Sequence, residues 1–209
     1  MSSHISLLRL YRHPLSGHSH RVELLLAFLG RNAETVDVDL ANGEHKSPSF
    51  LAKNPFGSVP VLEDGELMLS DSNAIMVYLA LKHDTSGKWY PRDPVVAANV
   101  QRWLSVAAGP LFQGPFSARL HKVFGAPVDH TKAKATAEQL FAIMDQHLVD
   151  REFFVAGWPT IADLALYSYT AHAPEGEVSL EPYPRLRRWI GRIESLPGFV
   201  GMQRMPAAA

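Results

Sequence analysis

The chain has 209 residues, 46% of them hydrophobic and 20% charged, with a formal net charge of −1. That is enough chain for a real core in one large domain or two small ones, and too little net charge for its global field to recruit nucleic acid or an anionic membrane. There is no cysteine, which excludes disulfides, thiolate metal sites and a cysteine nucleophile, so any sulfur chemistry needs a sulfur brought in by a ligand.

The segment Met1-Ser2-Ser3-His4-Ile5 lacks the charged-then-apolar build of a signal peptide. The longest apolar run, Leu24 to Leu29, is far short of a membrane span. A cytoplasmic protein is the expectation. Ile5 to Tyr11 reads as a strand, with Leu8 and Leu10 on one side and Ile5 and Leu7 on the other. Pro14 and Gly17 break it. Val22, Leu25, Leu26 and Leu29 then follow helical spacing, which predicts a helix over Ser19–Leu29 stopped by Gly30. Val36, Val38 and Leu40 alternate with Thr35, Asp37 and Asp39 as a second strand. Strand, helix and strand at this spacing imply a parallel pair with a right-handed crossover.

A polar loop follows from Ala41 to Lys46. Ser47-Pro48 reads as cap and first residue of a short helix through Phe50 and Leu51, ended by Asn54-Pro55-Phe56-Gly57. Val59 to Leu62 and Leu67 to Leu69 flank Asp64-Gly65, a hairpin turn signal. Pro60 cannot donate to a ladder, so it suits an edge strand and a cis bond. Ser70-Asp71-Ser72 opens a helix carrying Ile75, Met76, Leu79 and Ala80.

His83 to Pro94 reads as a linker. Beyond it only helical spacing is found: Val96 to Leu111, Ala133 to Leu148, Ile161 to Tyr169 and Leu186 to Ile193. Thr160 and Asp163 form an Asp variant of the capping box at the start of the third of these. Arg185, Arg187, Arg188 and Arg192 read as the wet face of the last. The tail from Met205 to Ala209 is expected to be loose. The organisation predicted is residues 1–83, a linker at 84–94, and an all-helical region at 95–209.

The stretch Pro14 to Val22 draws attention for chemistry. A strand leads into a helix whose first N–H groups lack partners and whose macrodipole favours an anion such as a thiolate. Gly17-His18-Ser19-His20 begins like a nucleophile elbow, but Arg21 stands where that motif needs glycine. There is no Rossmann turn or P-loop. His13, His18 and His20 have no acidic partner nearby in sequence, so no metal site is expected. The residues alone leave Ser16, Tyr11 and Ser19 open as the group that meets a sulfur.

The order of parts resembles the glutathione S-transferase superfamily. The matching segments are Leu15-Ser16-Gly17-His18-Ser19, Gly43-Glu44-His45-Lys46, Asn54 to Leu62, Leu69 to Ile75, and Thr160 to Asp163. They run in the right order over nearly the whole chain. The resemblance implies an α/β thioredoxin-like N-terminal domain of βαβ–ββα order, with a mixed sheet, and an all-α helical-bundle C-terminal domain. It implies a cytosolic, bacterial-type member with a serine at the thiol-activating position, acting as a homodimer in detoxification, with glutathione as co-substrate, a small hydrophobic electrophile as second substrate, and no metal.

Carried over residue by residue, the resemblance puts Ser16 at the thiol, with His18 as a second donor. It puts Val59, ahead of a cis Pro60, against the cysteinyl part of glutathione. Asp71 and Ser72 would hold the γ-glutamyl end, and His45 would lie near the glycyl carboxylate. Phe112 and Phe116 would line the electrophile pocket. A free thiol has a pKa of about 8.5. Lowering it by about two units takes roughly 2.7 kcal/mol, within reach of one hydroxyl donor at about 1.5–3 kcal/mol plus a helix end at about 0.3–1. The serine would then be a donor, and no cationic side chain would be required. Two other readings remain at this point: a glutathione-dependent disulfide reductase or peroxidase of the same fold, and a non-catalytic binding protein.

Overall fold

The structure is a computed structural model that describes residues 8–205. Strand β1 (Leu8–Arg12) leads into helix α1 (Gly17–Phe28), and strand β2 (Ala33–Asp37) returns parallel to β1. A 3₁₀ turn at Glu44–Lys46 and the short helix α2 (Pro48–Leu51) precede the hairpin of β3 (Val61–Asp64) and β4 (Leu67–Ser70). Helix α3 (Ser72–His83) closes the unit. The sheet order is β2-β1-β3-β4, with β3 antiparallel to both its neighbours. This is the expected thioredoxin-like βαβ–ββα arrangement with a mixed sheet.

Helices follow: α4 (Pro94–Ala108), a π-helical turn (Phe112–Phe116), α5 (Ser117–Phe124), α6 (His130–His147), α7 (Ile161–Ala171), a 3₁₀ turn (Ala173–Gly176) and α8 (Pro184–Glu194). The apolar positions read from helical spacing point inward: Val100, Trp103, Leu104 and Ala107 of α4, and Leu186, Trp189, Ile190 and Ile193 of α8, are all buried. One apolar core runs from Leu10 and Leu62 of the sheet through α1 and α3 into the helical region. A smaller cluster of Tyr11, Val38, Phe50 and Val61 covers the other sheet face.

Several sequence expectations shift. The first strand runs on to Arg12, and Ile5 and Leu7 lie outside the described residues, as do 206–209 of the tail. The first helix begins at Gly17, two residues before Ser19, because Ser16 is its cap: the Ser16 hydroxyl accepts the Ser19 N–H at 3.3 Å. The second strand stops at Asp37, although the Val38 N–H still bonds to the Arg12 carbonyl at 2.8 Å. Val59-Pro60 is cis as expected, but β3 is an inner strand and no edge. Pro60 stands just before it, so no ladder donor is lost. Helix α5 and the π turn are absent from the periodic reading. Pro115 lies inside the turn. It has no N–H to give the helix, and the Phe112 carbonyl is taken up by the Ser117 hydroxyl at 2.8 Å.

Helix α7 is buried along its whole length and packs against α1, α3 and α4, the condition that suits an all-round apolar helix. Its start is fixed by the capping box, which is present as expected. The buried Asp163 carboxylate does more than cap. It accepts the Thr160 N–H at 2.9 Å, the Phe154 N–H at 3.0 Å and the Trp189 indole N–H at 3.1 Å, tying α7 to α8 and to the loop before it. The buried His20 performs a similar tie for α1. Its Nε2–H donates to the Val200 carbonyl at 2.8 Å, which leaves Nδ1 to accept the Ser168 hydroxyl at 2.9 Å.

Two outcomes follow. Asp163→Ala strands at least three buried donors, and is expected to cost about 3 kcal/mol or more, read as a lower urea midpoint at unchanged slope. Burial pushes the His20 imidazole down to about 4. Between pH 6.5 and 4 the unfolded chain therefore binds a proton that folded His20 refuses. Stability is whole above that window and falls as pH drops through it, by roughly 3 kcal/mol from this residue. Urea midpoints measured across the window should decline more shallowly in His20→Asn.

Candidate active site

A cavity of about 560 Å³ opens where the sheet's loop ends meet α4, the π turn, α5 and α7. All nine residues singled out for chemistry line it: Ser16, His18, His45, Val59, Pro60, Asp71, Ser72, Phe112 and Phe116. The two rivals of Ser16 are elsewhere. Tyr11 donates its hydroxyl to Glu63 at 2.8 Å on the far sheet face. Ser19 is fully buried, its oxygen accepting the His13 N–H at 3.2 Å.

Ser16 sits at the positive end of α1, with its hydroxyl over the first turn. His18 follows on that turn. Its Nδ1 is 3.3 Å from the Ser72 oxygen, and its ring packs against Phe116 at 5.3 Å and Tyr169 at 5.0 Å between centroids. Burial, reinforced by the Arg21 charge, holds the His18 pKa well below its ordinary value. At neutral pH it is an uncharged imidazole.

The next wall is built by Asn54, whose buried side chain donates to the Ser58 carbonyl at 2.8 Å and accepts the Phe56 N–H at 3.1 Å. That fold of the loop delivers Val59 and the cis peptide to the cavity. Lys46 pins the same loop through the Gly57 carbonyl at 2.8 Å. Gly57 has φ +57°, and a Cβ there would meet the His45 carbonyl at 2.8 Å, so only glycine lets the two loops close up. His45 is half-buried, with burial and then Lys46 lowering its pKa.

Asp71 caps α3 by accepting the Ala74 N–H at 2.9 Å, at a φ of 72°. A left-handed φ outside glycine costs of order 1–3 kcal/mol and persists where the surroundings enforce it. Ser72 beside it is buried, and its oxygen accepts an Arg21 N–H at 3.3 Å. Across the cavity Phe112 and Phe116 stack at 4.5 Å on the π turn.

Arg21, Arg119 and Tyr169 line the cavity without having been given a role in the sequence reading. Arg21 and Arg119 are about 1% and 2% exposed, so the cavity carries two buried cations where none was expected. Arg119 donates to Glu175 and to the Leu15 carbonyl, both at 2.8 Å. Arg21 has neutral contacts, Ser72 and the Asn73 oxygen at 3.1 Å, and burial lowers its pKa to about 10. Tyr169 is the third. Arg21 lay within the inspected stretch, four residues before the inward-facing Leu25, but a guanidinium carries no sequence signal of burial. Among the described residues no cluster of histidines and carboxylates is set to hold a metal ion, and no helix is long and apolar enough to cross a membrane.

The family models that match are the glutathione S-transferase N-terminal domain, over residues 6–81, and the glutathione S-transferase C-terminal domain, over 121–197. Human glutathione S-transferase theta-2 is 34% identical over 201 residues, covering 91% of this chain and 82% of that protein. Maize glutathione S-transferase 3 is 33% identical over 205 residues, covering 92% and 91%. Among solved structures, a glutathione S-transferase from Pseudomonas fluorescens superposes with a TM-score of 0.89 at 30% identity, over 95% of this chain and all of that one. A glutathione transferase homolog from Drosophila mojavensis, solved with bound glutathione, gives 0.85 at 30% identity, over 92% and 90%. With both family models in chain order, relatives matched over most of their length and the same fold, the chain belongs to the glutathione S-transferase family.

Proposed function

We propose that this chain is a glutathione transferase that converts glutathione to its thiolate beside Ser16 and transfers it to a small apolar electrophile. The observation that carries this reading is the convergence in one cavity of the Ser16 hydroxyl at a helix start, the Val59 to Ser72 wall, and the Phe112–Phe116 pair. A thiolate is favoured there by the hydroxyl donor, by the end of α1, and by the buried charge of Arg21.

In this reading the Val59 backbone pairs with the cysteinyl part of glutathione as an added strand would, with cis Pro60 shaping its approach. The Asp71 carboxylate takes the ammonium of the γ-glutamyl end. The Ser72 hydroxyl, whose oxygen accepts from Arg21, takes its carboxylate. His45 lies toward the glycyl carboxylate. Residues 1–83 hold glutathione, 84–94 link, and 95–209 supply Phe112 and Phe116 against the electrophile. Uncharged His18 serves as an N–H donor or an apolar wall, and not as a counter-ion. The sulfur lone pair attacks the electrophilic carbon, a C–S bond forms, and the leaving group departs with its electron pair. The thiol proton goes to solvent.

A homodimer in the cytoplasm belongs to the same reading. Large apolar side chains stand exposed at Phe56, Leu67, Met68 and Leu81, the kind of surface that a second protein covers.

The purified protein is expected to bind glutathione at millimolar concentration or tighter and to conjugate a chloronitrobenzene-type electrophile. Ser16→Ala should lower kcat/KM about 10–100-fold, the value of a hydroxyl bond worth roughly 1.5–3 kcal/mol to a thiolate. No binding of glutathione would sink the enzyme reading. Binding with reduction of a model disulfide and no conjugation would replace it by the reductase reading.

A further inference from the structure

One buried hydroxyl in the cavity wall has no part in the chemistry above. Tyr169 of α7 is 2% exposed and reaches from the helical region to the first turn of α1. Its oxygen accepts the His18 backbone N–H at 3.2 Å, two residues along the turn that Ser16 caps, and the Ser16 side chain is near enough to lower the pKa of the phenol. The approach is close enough to dictate sequence. A Cβ on Gly17 would lie 2.8 Å from two carbons of the Tyr169 ring.

The donor count at Ser16 gives this contact its meaning. A serine oxygen has two lone pairs and one proton. One lone pair accepts the Ser19 N–H at 3.3 Å. We propose that Tyr169 is a positioning residue for Ser16: with a thiolate present, its O–H donates into the second lone pair and so commits the single Ser16 proton to the sulfur. The hydroxyls then form a chain, from the His18 N–H to Tyr169, to Ser16, to sulfur. Each link is polarised by the one before it. The proposal rests on the reading of Ser16 as the thiolate donor.

The surroundings keep Tyr169 a donor. Burial raises its pKa, so the phenol stays protonated at neutral pH, while Arg21 and Arg119 pull in the other direction and make it a more acidic donor. The Arg21 guanidinium lies 5.7 Å above the ring. The groups facing Tyr169 are thus Arg21 and uncharged His18 from α1 and Arg119 from α5, with Asp71 at the start of α3 acting on Arg21.

Tyr169→Phe removes the hydroxyl and keeps the ring against Gly17. The thiolate's ultraviolet absorbance, followed against pH, gives the pKa of bound glutathione. Tyr169→Phe should raise that pKa by about half a unit to one unit, and lower kcat/KM about three- to tenfold below it, with rates converging at high pH. Glutathione affinity should stay within about twofold. In a Ser16→Ala background the same change should cost nothing further, since Tyr169 acts through Ser16. A Tyr169→Phe protein with the wild-type thiol pKa and rate, or an equal loss without Ser16, would overturn the proposal. A wild-type protein that lowers no thiol pKa would overturn the reading of Ser16 itself, and is told apart because it fails before any variant is made.

Discussion

The site depends on where one buried helix lies along its own axis. Helix α7 has no solvent face on which to slide, so its register is set once, by the Asp163 carboxylate at its start. Tyr169 is six residues further on, about 9 Å along the axis. It meets α1 only at that register, and Gly17 admits it by lacking a side chain. A polar node in the helical region thereby sets the ring against which α1 begins, and with it the position of the Ser16 cap. The capping box was legible as a local signal, but its reach to the other end of the cavity was not.

What the sequence disclosed and what it hid divide along that line. Signals that act over a few residues read true: the Ser47-Pro48 cap, the Asp64-Gly65 hairpin, the cis Val59-Pro60 and the capping box of Thr160 and Asp163. So did the inward faces of α4, α6 and α8, because burial repeats with the helical period. The resemblance gathered nine residues that the cavity brings together. The missing parts were pairs far apart in sequence. His18 and Tyr169 are 151 positions apart and Leu15 and Arg119 are 104, and no periodicity marks such a contact. Tyr169 stood at the end of a run read only as helix, and Arg119 lay in a helix that no apolar spacing marked.

The charge distribution differs from that of an exposed anion site. His18 and His45, both at the cavity wall, are driven toward the neutral form by burial. The permanent positive charges are guanidiniums, which stay protonated at any pH the fold survives. Arg119 is balanced by Glu175 at 2.8 Å. Among the described residues, Arg21 meets only neutral groups at hydrogen-bonding range, so its field extends to Ser72, Tyr169 and the first turn of α1. A cavity polarised in this way attracts an anion without a titrating partner near neutrality.

The π turn at Phe112–Phe116 carries a geometric consequence. Such a turn holds one residue more than the α-helix it interrupts. Everything after it is therefore rotated by about 100° relative to an uninterrupted helix. Phe116 lies on one side of that step and Arg119 beyond it, the first packed on His18 and the second bonded to the Leu15 carbonyl. The extra residue works as a gear between the apolar wall and the loop carrying Ser16. Change within this segment by substitution would vary the electrophile's surroundings at constant gearing, whereas gain or loss of a single residue would turn both contacts away together.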